Sequence, residues 1–308
     1  MEVIYLNLDQ ALNQPIAVAL GYFDGLHLGH QAVIKEAVEY AKNHQIRSAV
    51  MTFSPSPSVF LKKSEHVSLL TPNGEKVRLL KSLGVDELWI LPFDEELANT
   101  RAKDFIERYL IQQRVVHVST GFDFRFGRRG EGEVELLKTY QNQFNLSITS
   151  KYELEDEKIG STEIKSYLAE GQIKKVTQML GRPYCIRGKV VTGKQKGRQI
   201  GFPTANLQLT EDYVIPKSGV YAVEVVVEGR CYAGMCNIGH NPTFNFNNQL
   251  SIETYILDFN ADIYGEELTL KFCEYLRQEQ QFNSIDVLIT QLEADHQFVR
   301  SYFNLNLN

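Results

Sequence analysis

The sequence predicts two folds in one chain: an α/β domain built on a parallel sheet over residues 1 to 180, and an antiparallel β-barrel with a terminal helix over residues 181 to 308. Three observations carry this. A length of 308 residues exceeds what one hydrophobic core usually serves. Up to about Arg182, short β-rich runs alternate with stretches of helical period, the pattern of a parallel sheet wrapped by helices. Beyond it, β-branched and aromatic runs broken by glycine follow one another with few helical signals, the pattern of a closed antiparallel barrel.

Each element has its own signal. In the first part, IAVAL from Ile16, SAVMTF around Val50, ELWILPF around Trp89 and VVHVS around Val116 read as strands. Val33, Ile34, Ala37, Val38 and Ala41 recur at three- and four-residue spacing and predict a helix between the first two. After GSTEIKSYLAEGQIKKVTQMLGRPY come CIRGKVV, GVYAVEVVVEG, CYAGMCNIG, LSIETYILDF and LTLKFCEYL, which read as barrel strands. Ile285, Leu288, Ile289, Leu292, Val299 and Phe303 then return to helical spacing, with Asp286 in the first turn, so a terminal helix is expected to pack on the barrel. There is no internal repeat and no long flexible linker.

Composition narrows the function. Hydrophobic residues at 43% and charged residues at 23% are those of a globular protein. The net charge of −6 is spread evenly over the two parts, so no basic face announces a nucleic-acid partner, while a local phosphate site stays open. The opening MEVIYLNLDQALNQP holds Glu2 and Asp9 and lacks the basic start and apolar core of a signal peptide. No apolar run approaches the roughly 20 residues that span a bilayer. A cytoplasmic location, no membrane partner and no transporter role are the expectation. Cys185, Cys231, Cys236 and Cys273 lack CxxC spacing, so neither zinc nor a disulfide framework is indicated, and they read as reduced, partly buried fillers. Oligomeric state is left open.

The string GYFDGLHLGH, Gly21 to His30, follows the first predicted strand and enters the first helix, the sheet edge where such folds bind ligands. His27 and His30, three apart, face one side of the opening turn; Gly29 permits close backbone approach; the helix N-terminus adds free N–H groups and a positive dipole end. Together they read as a triphosphate cradle. The string resembles the HxGH signature of nucleotidylyltransferases, in the GxFDGxHxGH form of bacterial bifunctional riboflavin kinase/FAD synthetases. GFDFRFGRRGEG, Gly121 to Gly132, is similar to that family's GxDFxFG block, and GSTEIK, Gly160 to Lys165, to its SSTxIR block. The resemblance runs from about Pro15 to Tyr302. It implies a Rossmann-like FMN adenylyltransferase domain, with Gly21, Phe23, Asp24, Gly25, Gly29 and Asp123 at the nucleotide. Read by itself, Asp123 among Phe122, Phe124 and Phe126 is as well explained by core packing. Ser161 or Thr162 with Lys165 a turn later would bring a hydroxyl and a cation to an anion, and would equally make a plain helix start.

The reaction implied is attack of the FMN phosphate on the α-phosphorus of ATP with loss of pyrophosphate. The nucleophile is already ionised, so catalysis reduces to positioning and charge stabilisation, work for His27, His30 and Lys165, with Mg²⁺ held mainly by substrate phosphates. Two residues depart from the family pattern: Ser56 stands where TFxPHP has His, and Lys165 where SSTxIR has Arg.

In the second part, GKQKGRQIGFPTANL sets Lys194, Lys196 and Arg198 among Gly193, Gly197 and Gly201, a loop able to close over phosphates, or else a solvated basic turn. Thr204 and Asn206 share a face in an extended chain and offer hard oxygens suited to Mg²⁺ on ATP phosphates. PTAN is similar to the riboflavin kinase signature, where this Thr and Asn take that role. In LSIETYILDF, Ile252, Thr254 and Ile256 alternate with Glu253. Such a carboxylate is usually only solvated, but the family's catalytic base occupies this Glu, and a ribityl hydroxyl needs a proton acceptor. NIGHNPTF and LRQEQQF resemble flavin-proximal blocks, implying Asn237 and Arg277 at the flavin. Riboflavin, FMN, FAD and ATP are then the small-molecule partners. Two other readings are a riboflavin kinase with a weakened or lost adenylylation step, and a flavin-binding sensor or carrier without turnover.

Overall fold

The computed structural model describes residues 1–6, 14–55, 60, 67–193, 196–241 and 249–305. The chain divides into two compact units, Met1–Ser161 and Thr162–Asn308. That division falls before the two helices that precede the barrel, whereas the sequence places the functional boundary after them.

The first unit is a six-stranded parallel sheet in the order β1-β4-β3-β2-β5-β6. Its strands are β1 (Glu2–Tyr5), β2 (Ile16–Leu20), β3 (Arg47–Ser54), β4 (Glu87–Pro92), β5 (Val115–Gly121) and β6 (Asn145–Thr149), and a short antiparallel pair, β7 (Glu153–Leu154) with β8 (Glu157–Lys158), follows them. Every residue of β2 is buried, as expected of a central strand covered on both faces. α1 (Leu28–His44) crosses from β2 to β3 and buries Val33, Ile34, Ala37, Val38 and Ala41, the five residues whose spacing predicted it. α2 (Asn73–Ser82) precedes β4. One apolar cluster is built around Val18, Met51, Trp89 and Phe105, another around Phe23, Ile34, Val50 and Leu80. IAVAL is the second strand: β1, which sequence reading did not find, pairs with β4 at the sheet edge and exposes Val3 and Tyr5, so it lacks the apolar run that marks the inner strands.

The second unit opens with α3 (Ser161–Glu170, its first residue belonging to the first unit) and α4 (Ile173–Leu180). Six antiparallel strands then close a barrel in the order β10-β13-β12-β11-β14-β9. They are β9 (Tyr184–Val191), β10 (Thr204–Leu209), β11 (Gly219–Val227), β12 (Arg230–Asn241), β13 (Gln249–Ile256) and β14 (Glu267–Arg277). Alternate residues fill the interior, among them Ile186, Val223, Ile238, Ile252, Leu270 and Phe272. α4 buries Ile173, Val176, Met179 and Leu180 and packs against β14 and β9.

The terminal helix α5 (Ile285–Tyr302) starts at Ser284, whose hydroxyl accepts from the Val287 amide. Its C-terminal half joins the barrel's outer face through Val299, which clusters with Ala222, Met235 and Leu257. Ile285, read as inward from its spacing, is 64% exposed, while Leu288, Ile289 and Leu292 are half-buried. Cys231 likewise corrects the expectation of buried cysteines, since it is exposed, while Cys236 is fully buried and its thiol is pushed up to about 12 by that burial.

Candidate functional site

In the first unit, β2 lies between β3 and β5, so the chain leaves β2 toward β3 on one side while its other neighbour arrives later; strand order reverses here, the place at whose carboxyl ends such sheets bind ligands. The loop after β2 is Gly21–His27. Its backbone is left-handed at Phe23 (φ 54°), Gly25 (87°) and Leu26 (45°). Only the glycine takes that region without a Cβ penalty, so two non-glycine residues are held there by their surroundings. The holds are visible. Phe23 and Leu26 are buried in the core under α1. The Asp24 carboxylate accepts from the Thr71 amide at 3.1 Å, the Asp24 carbonyl accepts from Ser161 Oγ at 2.7 Å, and Gln31 Nε2 donates to the Leu26 carbonyl at 2.8 Å.

His27 is the N-cap of α1, its Nδ1 accepting from the His30 amide at 3.3 Å. The two imidazoles stack with centroids 3.6 Å apart, and His30 meets the Phe23 ring edge-on at 5.3 Å. Burial first, then the neighbouring charges of His27 and Lys76, hold the His30 pKa well below the ordinary imidazole value. His30 is therefore neutral at physiological pH, a hydrogen-bond donor rather than a cation, and its Nδ1 has no partner among the described residues. Asp123, at the end of β5, is exposed and paired with Lys158 at 3.1 Å, a contact weak enough for a ligand to displace. α3 begins at Ser161, with Thr162 and then Lys165 in its opening turns.

In the second unit, strand register gathers the candidates. Asn206 of β10 and Asn237 of β12 both stand opposite Glu253 of β13, and Thr204 is opposite Tyr255. Residues directly opposite share a face, so Thr204, Asn206, Asn237 and Glu253 all lie on the outer side, while Ile252, Thr254 and Ile256 point inward and are buried. Thr204 Oγ1 donates to Glu253 Oε2 at 3.3 Å, and Ser251 Oγ donates to Oε1 at 3.0 Å. The preceding loop closes onto the same face. A Cβ at Gly193 would overlap the Asn206 amide, and one at Gly197 the Phe202 carbonyl, so glycine is required for that approach.

Two cavities meet at Thr204. One, of about 310 Å³, lies beneath α5 and is lined by Phe202, Met235, Tyr255, Leu288 and Leu292 together with Asn237, Glu253 and Arg277. The other, of about 470 Å³, is bordered by Arg198, Asn260, Asp262 and Tyr264. Arg277 grips Asp295 of α5 in a two-pronged pair (Nε–Oδ1 3.1 Å, Nη2–Oδ2 2.7 Å) that is nearly buried.

Sequence comparison agrees with the division of the fold. The FAD synthetase family profile matches residues 9–163, and the riboflavin kinase profile residues 180–303. A Listeria monocytogenes bifunctional riboflavin kinase/FMN adenylyltransferase is 42% identical over 98% of both chains. The chain belongs to this family. The Bacillus subtilis member is 40% identical over 93% of this chain and 92% of its own, and the Escherichia coli K12 member 35% over 97% and 96%. A crystal structure described as a macrolide-efflux protein from Streptococcus pneumoniae superposes with a TM-score of 0.89 at 34% identity, covering 97% of this chain and 98% of that one. Among the described residues no helix is long and apolar enough to cross a membrane.

Of the residues that sequence reading put forward, the structure brings together Gly21 to His30 with Ser161, and Thr204, Asn206, Asn237 and Glu253 with Gly193 and Gly197. Phe23 is buried, so its offer to a ligand is backbone. Arg198 lines the second cavity. Ser56 and Lys194 lie outside the described residues, as does the side chain of Lys196. Ser251, Asp295 and Lys76 were missed. Ser251 carries a legible signal, since it stands two residues before Glu253 and therefore on its face. Asp295 carries none, because a helical carboxylate reads as solvated until its partner is known.

Proposed function

We propose that the barrel unit phosphorylates riboflavin and the parallel-sheet unit adenylylates the resulting FMN. Family membership makes the chain an enzyme of flavin biosynthesis that is both kinase and nucleotidyltransferase, with riboflavin, FMN and ATP as small-molecule substrates. The observation carrying the residue assignment is that two cavities of different character meet at Thr204, beside the carboxylate of Glu253. The apolar cavity under α5 suits the flavin rings, with Asn237 and Arg277 at its wall. The polar cavity bordered by Arg198 suits ATP.

In that arrangement the ribityl hydroxyl gives its proton to Glu253 as its oxygen attacks the γ-phosphorus, and ADP leaves with the bridging oxygen's charge. Ser251 and Thr204 keep the carboxylate turned toward the junction. Thr204 and Asn206 supply two neutral oxygens, the donor set of Mg²⁺ that arrives on phosphates rather than of a cation caged by carboxylates. Bound there, Mg²⁺ would neutralise charge on the transferring phosphoryl group.

For adenylylation, the α1 N-terminus, the turn Gly21–His27, the imidazole of His27 and the neutral imidazole of His30 present N–H donors to the ATP phosphates, with Ser161, whose hydroxyl reaches the Asp24 carbonyl of that turn, assigned to the same anion. We assign the protein to the cytoplasm, where ATP is available. Incubating the purified chain with riboflavin, ATP and Mg²⁺ and separating the flavins by chromatography tests the whole reading. FMN followed by FAD is expected; FMN alone would remove adenylylation, and neither product would leave a carrier.

A further inference from the structure

Lys76 has no place in the chemistry above, yet it is the most deeply buried cation among the described residues, 1% exposed on α2 beneath the Gly21–His27 turn. Its Nζ donates to the Tyr22 carbonyl at 3.0 Å and to Thr52 Oγ1 at 3.4 Å, and it lies 5.0 Å from the Tyr22 ring centroid. Thr52 Oγ1 in turn donates to the same Tyr22 carbonyl at 2.9 Å. That carbonyl belongs to the residue immediately before Phe23, the first of the left-handed positions.

An ammonium taken out of water costs several kcal/mol unless its surroundings replace the lost hydration. Here a carbonyl, a hydroxyl, an aromatic face and the charge of Asp24 do so in part. Burial nonetheless lowers its pKa to about 8, with the Asp24 charge opposing that shift. A methionine or leucine would fill the volume without the penalty, so the charge and its donors have a purpose other than packing. The charge is also felt at the site: it is among the causes that keep His30 neutral.

We propose that Lys76 is a positioning residue for adenylyl transfer, fixing the left-handed turn through the Tyr22 carbonyl and standing as a buried positive charge beneath that turn. This rests on the reading that the first unit makes FAD. The turn carries two non-glycine residues at positive φ, a conformation that persists only where neighbours over-determine it. Loss of the ammonium removes one such neighbour and one positive charge together.

The test uses the full chain. Lys76→Met should lower kcat for FAD formation from FMN and ATP by about tenfold or more, since small displacements of a phosphate cradle are costly. Riboflavin phosphorylation in the same preparation should stay within about twofold. Trp89, the single tryptophan, is fully buried on β4 and reports by its emission whether the first unit has folded. In the folded variant the His30 ring should titrate at a higher pH than in the parent, because a repelling charge has gone; NMR of the histidine ring protons reads this. A folded Lys76→Met that makes FAD within about twofold of the parent overturns the proposal. So does lost FAD synthesis with an unmoved His30 titration, which would leave a packing role only. Should Trp89 report unfolding, Thr52→Val decides: it removes a donor to Tyr22 and leaves the ammonium, and about a fivefold fall in FAD formation is expected, with an unchanged rate counting against the proposal. A parent chain that makes no FAD would instead sink the assignment of the first unit.

Discussion

Glu253 was legible as a position because a strand has period two: buried Ile252, Thr254 and Ile256 force it to the outer face. What surrounds it was not legible, since Thr204 and Asn206 arrive from a strand far away in the sequence and only register sets them opposite. Glu253→Gln keeps the shape and removes the proton acceptor. Formation of FMN should fall by about 10²- to 10⁴-fold while FAD formation from supplied FMN stays nearly intact, measured as two separate steady-state rates. Equal loss of both would show that the reactions do not have separate sites. Lys76 illustrates the opposite limit. TPNGEKVRLL reads as an ordinary surface helix with a solvated lysine, and the burial of that side chain depends on tertiary packing that no local pattern encodes.

Inner elements announced themselves and edges did not. β2 and β5 are buried throughout or nearly so, whereas β1 and β6 at the two edges of the sheet are half-exposed and lack a clean pattern. β5 also carries a feature hidden from sequence, the buried imidazole of His117. It is 3% exposed, stacks on Tyr40 at 4.0 Å, and neither ring nitrogen has a partner among the described residues. Burial, and secondly the charge of His44, lower its pKa from 6.5 to about 4. Between those values the unfolded chain binds a proton that the folded one does not, so stability is full above about pH 6.5 and is lost as pH falls toward 4, by at most ~3 kcal/mol. Denaturant unfolding followed by Trp89 emission across that range should show this slope, and His117→Phe should flatten it; a slope unchanged in the variant would assign the effect elsewhere.

At the scale of the molecule, α4 packs on the barrel although it precedes the kinase profile's match. A fragment beginning at Thr162 should therefore fold and phosphorylate riboflavin, while one beginning at Gly181 forfeits the burial of Ile173, Val176, Met179 and Leu180, worth about 1.5–3 kcal/mol for each large side chain. Comparing denaturation midpoints of the two fragments measures this, and equal midpoints would make α4 dispensable. The two departures from the family pattern concern the adenylylation step of the proposed reading. Serine at 56 carries no charge, and lysine at 165 lacks the planar fork of arginine, so on the family resemblance each change would weaken an anion contact by about 1.5–3 kcal/mol. FMN should accumulate before FAD in a time course from riboflavin, and Ser56→His with Lys165→Arg should raise FAD synthesis with little change in FMN synthesis; a double variant no faster than the parent would contradict this. Finally, two cavities that share Thr204 in their walls bear on the kinetics of the proposed kinase reaction. With donor and acceptor in separate cavities, as proposed, both must be seated before the phosphoryl group crosses, so initial-rate lines should intersect instead of running parallel and no phosphorylated protein should accumulate.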